Sequence, residues 1–427
     1  MMNRREFLKL VAGAGLAAPA LLGPSGCATI APPEFADTGL SLYCLTGDVT
    51  EKDALVWLRA EPDSLVTVQY GKDPHLTDYD ATQLFSVDPA ADHTVKIRLD
   101  DLQPASRYYY RAAVSGKTPG PIGSFVTAPR PDDDRKVSFC FSGDTRESYK
   151  PFTVMSAVRA HLPDFFIHLG DTIYADRNGT ASRLPEFWAK YRNNRDDLAT
   201  QYCLRDVSIY VMWDDHEVHD DYAPEYALAP IGQKAFLDYW PVCCPVGEPK
   251  RIFRSFRWGR ALEVFMLDGR QYRDRKHSTM LGAMQKEWLL DSLARSSATF
   301  KFVATPVPMA GGGSDRWDGF SRERAEILAF IKDHKIHGVV FLSADLHYAA
   351  ITKIPKSGGL RDITAGPLAA PLNRITDGTA KRFEFFLAEN FNFAKITVDP
   401  KADRESALLE FIDQDNRVFH SAKLRAA

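Results

Sequence analysis

The sequence predicts a small β-sandwich followed by a layered α/β domain, and three observations carry that prediction. From about Leu40 to Thr127, short segments of alternating polarity ("DALVWLRA", "SLVTVQYG", "HTVKIRL") are broken by the turn-forming stretches "AEPDS" and "GKDP", with little helix between them. The run "APRPDDDRK", Ala128 to Lys136, is rich in proline and charge and reads as a linker. After it, continuous apolar runs alternate with amphipathic ones, the mark of a sheet covered on both faces. A chain of 427 residues also exceeds the ~100–200 typical of one domain.

Ahead of the sandwich, "NRREFLK" places the paired arginines Arg4 and Arg5 before an apolar run of small residues, Leu10 to Gly23. This reads as a twin-arginine export signal over 1–27, with the export machinery as a partner and a periplasmic or secreted destination. At about 14 residues the run falls short of the ~20 needed to span a bilayer. "LLGPSGCA" resembles a lipoprotein cleavage box ending at Cys27, with Pro24 where that pattern prefers leucine. A lipid-anchored outer surface protein, and any contact with the membrane, is expected only if Cys27 is lipidated.

The sandwich is assigned to 28–130. Its segment "LDDLQPASRYYYRAAV" resembles the tyrosine-bearing corner of fibronectin type III domains, with Leu102, Pro104 and Tyr108 in order, and nothing in it reads as catalytic. Cys27, Cys44, Cys140, Cys203, Cys243 and Cys244 show no CxxC pair, no zinc spacing and no disulfide scaffold. A formal net charge of −3 leaves no polybasic footprint, so duplex nucleic acid is not an expected partner.

The α/β domain is assigned to 131–427. Its strand-like runs are "VSFCFSGD", "DFFIHLGD", "VSIYVMWDD", "ALEVFMLDGR", "FKFVATPV" and "GVVFLSADLH"; "FTVMSAVRAH", "AMQKEWLLDSLARS" and "RERAEILAFIKDH" read as helices between them. Four apolar runs lead straight into acid: Asp144, Asp171, Asp214 with Asp215, and Asp345. Any one aspartate could simply cap a helix or turn. Ligands of layered α/β folds, however, bind beyond the carboxyl ends of strands, and the same placement four times over points to a metal site.

These residues also resemble a known family. "FSGDTR", "HLGDTIY", "MWDDHE" and "SADLH" are similar to the ordered blocks of the metallophosphoesterases, and specifically of the PhoD-type alkaline phosphatases. "LDGRQYR" (Leu267 to Arg273), "LGAMQKEWL", "DRWDGF" and "TAGP" extend the likeness over nearly the whole mature chain. The resemblance implies a metallophosphoesterase α/β sandwich preceded by a fibronectin-like β-sandwich. It also implies a metal-dependent hydrolase of the alkaline phosphatase class, acting on phosphate monoesters, diesters or both through water activated by two metals.

Carried over by position, the resemblance assigns a first metal to Asp144, Asp171, Tyr174 and His347, a hard anionic set like the iron site of purple acid phosphatases. A second metal shares Asp171 and adds Asp215 and Asp345. These stand where metallophosphoesterases in general have asparagine and histidine, and hard oxygen ligands favour calcium, one ion or two, with Mg2+, Mn2+ or Zn2+ as alternatives. Four carboxylates and a phenolate balance Fe3+ and Ca2+ in charge. No counterpart of a further histidine ligand appears near "TPVPMAG", so water, Asp214 or a second calcium is left to complete the second site. His216 aligns with the histidine that in this superfamily protonates the leaving oxygen or stabilises the transition state, its other reading being a structural hydrogen bond. Arg146 and Arg270 are candidates for the non-bridging phosphate oxygens, with an internal salt bridge as the alternative for either.

Two departures stand out: some PhoD enzymes have cysteine at the place of Asp144, and general metallophosphoesterases have histidine at that of Arg146. Cys140 then reads as a core residue. His219, Asp220 and Asp221 read as support or as solvated groups, and Trp317, Asp318 and Phe320 as a pocket wall or as packing. The competing functions are a phospholipase or nucleotide phosphodiesterase on the same site, and a non-catalytic cell-surface binding protein.

Overall fold

Strands after Lys136 are apolar on both faces because each face is covered, but the covers differ. In the computed structural model the strands lie in two large sheets that face each other. Phe139, Phe141, Phe165 and Ile167 of one sheet share a core with Val264, Phe302 and Leu342 of the other, and the rings of Phe139 and Phe302 are 5.1 Å apart. The alternate residues Cys140, Phe166 and Ile209 point outward, against helices Thr153–Ala160, Leu184–Arg195 and Ala229–Tyr239. On the far side Phe265, Val303 and Phe341 pack on helices Gly282–Arg295 and Ser321–Asp333. The expectation of a sheet covered on both faces holds, and the structure supplies the covers: each sheet has helices on one face and the other sheet on its second. Either cover requires an apolar residue at every position, so the pattern in the sequence is the same. Cys140 lies in the core, as expected.

The structure describes residues 42–374 and 380–426, apart from 312 and 404, all within one compact unit, Ser41–Ala427. The predicted export signal, with Arg4, Arg5 and Cys27, falls outside the described residues. No helix among the described residues is long and apolar enough to cross a membrane.

The nine-stranded sheet runs, edge to edge, Val418–Arg425, Ser406–Asp413, Asn392–Val398, Val137–Ser142, Phe165–His168, Ile209–Val211, Cys44–Gly47, Ala54–Arg59 and Thr94–Leu99. Three amino-terminal strands therefore extend the sheet that carries the acidic strand ends, joined where Gly47 pairs in parallel with Ile209. Gly47 has to be glycine: a Cβ there would lie 2.6 Å from the Ile209 carbonyl oxygen. A separate five-stranded sheet, including Leu65–Gly71, Arg107–Val114 and Gly123–Val126, closes the amino-terminal core around Val56, Val68 and Phe125. The Tyr108 hydroxyl accepts the Gln103 N–H at 3.0 Å, the closure expected of a tyrosine corner.

Candidate metal centre

Three of the acid-tipped strands, Val137–Ser142, Phe165–His168 and Ile209–Val211, are parallel neighbours, and the fourth, Val339–Ser343, belongs to the facing sheet. Their carboxyl ends bring the predicted ligands together. Donor atoms of Asp144, Asp171 and His347 lie within 4.8 Å of one another; so do those of Asp171, Asp215 and His216, and those of Asp214, Asp215 and Asp345. Asp171 belongs to two of these groups and is placed to bridge. The Tyr174 hydroxyl is 3.2 Å from His347 Nε2, completing the first set.

The turns that present these donors are unusual. Asp144, Asp171, Asp345 and His347 all have left-handed backbones, with φ of 68°, 55°, 65° and 56°. Such conformations cost about 1–3 kcal/mol each and gather where the surroundings hold them for function. Much of the holding falls to Glu217, which the sequence reading left without a role. Fully buried, it accepts the N–H groups of Asp171 (3.1 Å), Thr172 (2.6 Å) and Asp214 (2.8 Å), tying two ligand loops together. His347 is oriented by Nδ1, 2.6 Å from the Pro371 carbonyl, which directs Nε2 at the site.

The electrostatics are those of a cation site. Burial, together with the charges of Asp215, Asp214, Glu217 and Asp144, pushes the Asp171 pKa well above the carboxylate range. Burial and the charges of Asp171 and Asp144 do the same to the Tyr174 phenol. Asp144 Oδ2 is buried without a hydrogen-bond partner. Hard oxygen donors, crowded and desolvated, fit metal ions.

His216 lies against this cluster, its ring stacked on Tyr174 with centroids 4.2 Å apart. Nδ1 is 2.8 Å from Asp176 Oδ1, a partner the sequence did not reveal. Burial opposes its charge, but the hydrogen bond to Asp176 and the charges of Asp215 and Asp220 prevail, raising the pKa to about 9. Asp220 and Asp221 act as support: their backbone N–H groups hold Asp176 and Asp215 at 3.0 and 2.7 Å.

The two arginines part company. Arg146 is half-buried, its guanidinium 5.8 Å from the Tyr174 ring centroid. Arg270, expected at a phosphate, has 0% of its side chain exposed; Nε lies 2.5 Å from Asp214, Nη1 2.8 Å from Asp315 and Nη2 3.6 Å from Asp215. It is the internal ion pair of its two readings. Trp317 and Phe320 are fully buried and pack, with the Trp317 indole donating to Thr305 Oγ1 at 3.0 Å; Asp318 accepts the Gly311 N–H.

Facing sheets flanked by helices, with carboxylates, a tyrosine and a histidine converging at the strand ends, define the metallophosphoesterase class of hydrolases. Comparison with known proteins narrows this: the model of the PhoD-like phosphatase family matches residues 139–385, and that of the PhoD-like phosphatase N-terminal domain matches 26–129. The chain belongs to the PhoD-like phosphatase family, whose chemistry is metal-dependent phosphoester hydrolysis. Alkaline phosphatase D of Bacillus subtilis (strain 168) is 25% identical over 418 residues, covering 81% of this chain and 71% of the relative. In fold, the chain is similar to a solved structure of PhoD, with a TM-score of 0.80 at 20% identity over 92% of this chain and 90% of that one. It also resembles purple acid phosphatase PPD1 from yellow lupin (Lupinus luteus) seeds, with a TM-score of 0.68 at 14% identity over 90% of this chain and 73% of that one.

Proposed function

We propose that this chain is an exported phosphoesterase of the alkaline phosphatase class, hydrolysing phosphate monoesters, diesters or both by direct attack of water at phosphorus. The observation that carries the reading is the convergence of Asp144, Asp171, Tyr174, His347, Asp215 and Asp345 at four strand ends. A chain kept only as a binding module would have no need of the complete set. Asp144, Asp171, Tyr174 and His347 would hold Fe3+, and Asp171, Asp215 and Asp345 would hold Ca2+, as one ion or two. When bound, these ions supply Lewis acidity toward water and the phosphoryl oxygens.

The chain's own residues do the rest. His216, held at Nδ1 by Asp176, which favours its protonated form, is placed to give its proton to the leaving oxygen. Arg146, half-buried beside the Tyr174 ring, is available to a non-bridging oxygen. Residues 1–27 would direct export by the twin-arginine route to the periplasm or beyond, with Cys27 the point of any lipid anchor; 28–130 and 131–427 would be the sandwich and catalytic parts.

Metal analysis and a visible spectrum of protein purified from its natural host test the assignment. Tyrosinate on ferric iron should give a visible charge-transfer band, and a colourless zinc protein would reject it. Hydrolysis of p-nitrophenyl phosphate and of its bis-ester ranks monoesters against diesters, and activity on neither would sink the reading.

A further inference from the structure

Asp345, assigned above to the second cation, already has a cationic partner. Arg316 meets it two-pronged: Nη2 lies 3.0 Å from Oδ1 and Nε donates to Oδ2. The charges of Asp214 and Asp221 also favour the guanidinium. Arg316 is not there by chance of a loose loop, because both its chain neighbours are pinned. Asp315 pairs with Arg270, Arg273 and Arg275 at 2.8, 2.6 and 3.0 Å, and Trp317 is fully buried on Thr305. The backbone between them is fixed, so the side chain is stationed at the site and can move only about its own bonds.

We propose that Arg316 is a built-in placeholder for the second cation at Asp345 and, displaced when that cation binds, becomes the guanidinium that grips the phosphoryl oxygens. The second half rests on the phosphoesterase reading; the first does not. A divalent ion and a guanidinium compete for one carboxylate, and their like charges repel at ligand distance, so binding the ion drives Arg316 off. Arg316 differs from Arg270 in the respect that matters: 19% of its side chain is exposed, against none for Arg270. It can therefore turn from Asp345 toward a bound ligand while its backbone stays. With Arg270 buried, a planar fork matched to phosphate geometry is supplied by Arg316.

The test compares the full chain with Arg316→Gln and Arg316→Lys. After chelation, Ca2+ is titrated calorimetrically, and inorganic phosphate is then titrated into each Ca2+-loaded protein. Arg316→Gln should bind Ca2+ about tenfold more tightly, through loss of the competitor, and phosphate about tenfold more weakly or worse. Arg316→Lys, charged but without the fork, should fall between on both counts. Should Arg316→Gln not fold without Ca2+, the lysine variant alone decides, by the same two shifts. Unchanged or weakened Ca2+ affinity overturns the exchange, and unchanged phosphate affinity overturns the grip. Failure of the phosphoesterase reading looks different: no hydrolysis of either nitrophenyl ester by the wild type, with the Ca2+ shift intact.

Discussion

Around Arg270, the side chains of Asp214, Asp215 and Asp315 are also almost wholly buried, so the guanidinium and the carboxylates depend on one another for charge. Removing one partner of such a network leaves charges uncompensated in a dry interior, at a cost of ~3–5 kcal/mol. Arg270→Met should lose stability of that order in urea unfolding; a residue that only touched substrate would leave the midpoint unchanged and raise KM. His216 has a different dependence. Its folded pKa of about 9 lies above the ordinary value, so its pairing with Asp176 stabilises the fold fully below pH ~6.5 and is lost as pH rises through about 9. Asp176→Asn removes the chief raising partner and should move the alkaline limb of kcat to lower pH, most plainly for esters with poor leaving groups. A limb that stays in place would show that His216 does not carry the proton.

The turns after the strands are where residue chemistry becomes a site. Left-handed aspartates point their carboxylates inward, and the glycines beside them make room. Gly366, with φ of 141°, lies against the first ligand set: a Cβ there would lie 2.8 Å from Asp144 Oδ2. Gly366→Ala should therefore displace that carboxylate and lower iron per chain and the visible band together, with far-ultraviolet circular dichroism unchanged; full iron content would argue against the assignment. Much of this was legible beforehand, since "GD", "GDTIY", "DDHE" and "DLH" sit at the ends of apolar runs and a strand end is a local property. The partners of these groups were not. Asp176 and Glu217 reach His216 and the ligand turns across loops, and Arg270 could be read as facing either outward or inward until its burial was known.

For the molecule as a whole, ions bound among these crowded carboxylates would add to the stability of the folded state. Ligands that bind only the native state stabilise it by about 4 kcal/mol at a concentration a thousandfold above Kd. Chelation, verified by metal analysis, should therefore lower the melting temperature as well as abolish activity, and an unchanged melt would show that the cluster is held by protein charges alone. By itself the sequence determined the strands, their acidic tips, the sandwich-then-α/β order and the metallophosphoesterase resemblance, because apolar periodicity and turn residues act over a few positions. Only the tertiary structure decided that the strands form two facing sheets, that amino-terminal strands join the first of them, and that Arg270 braces while Arg316 meets Asp345. Those outcomes depend on which buried surfaces and charges come together across tens to hundreds of residues, where local pattern is silent.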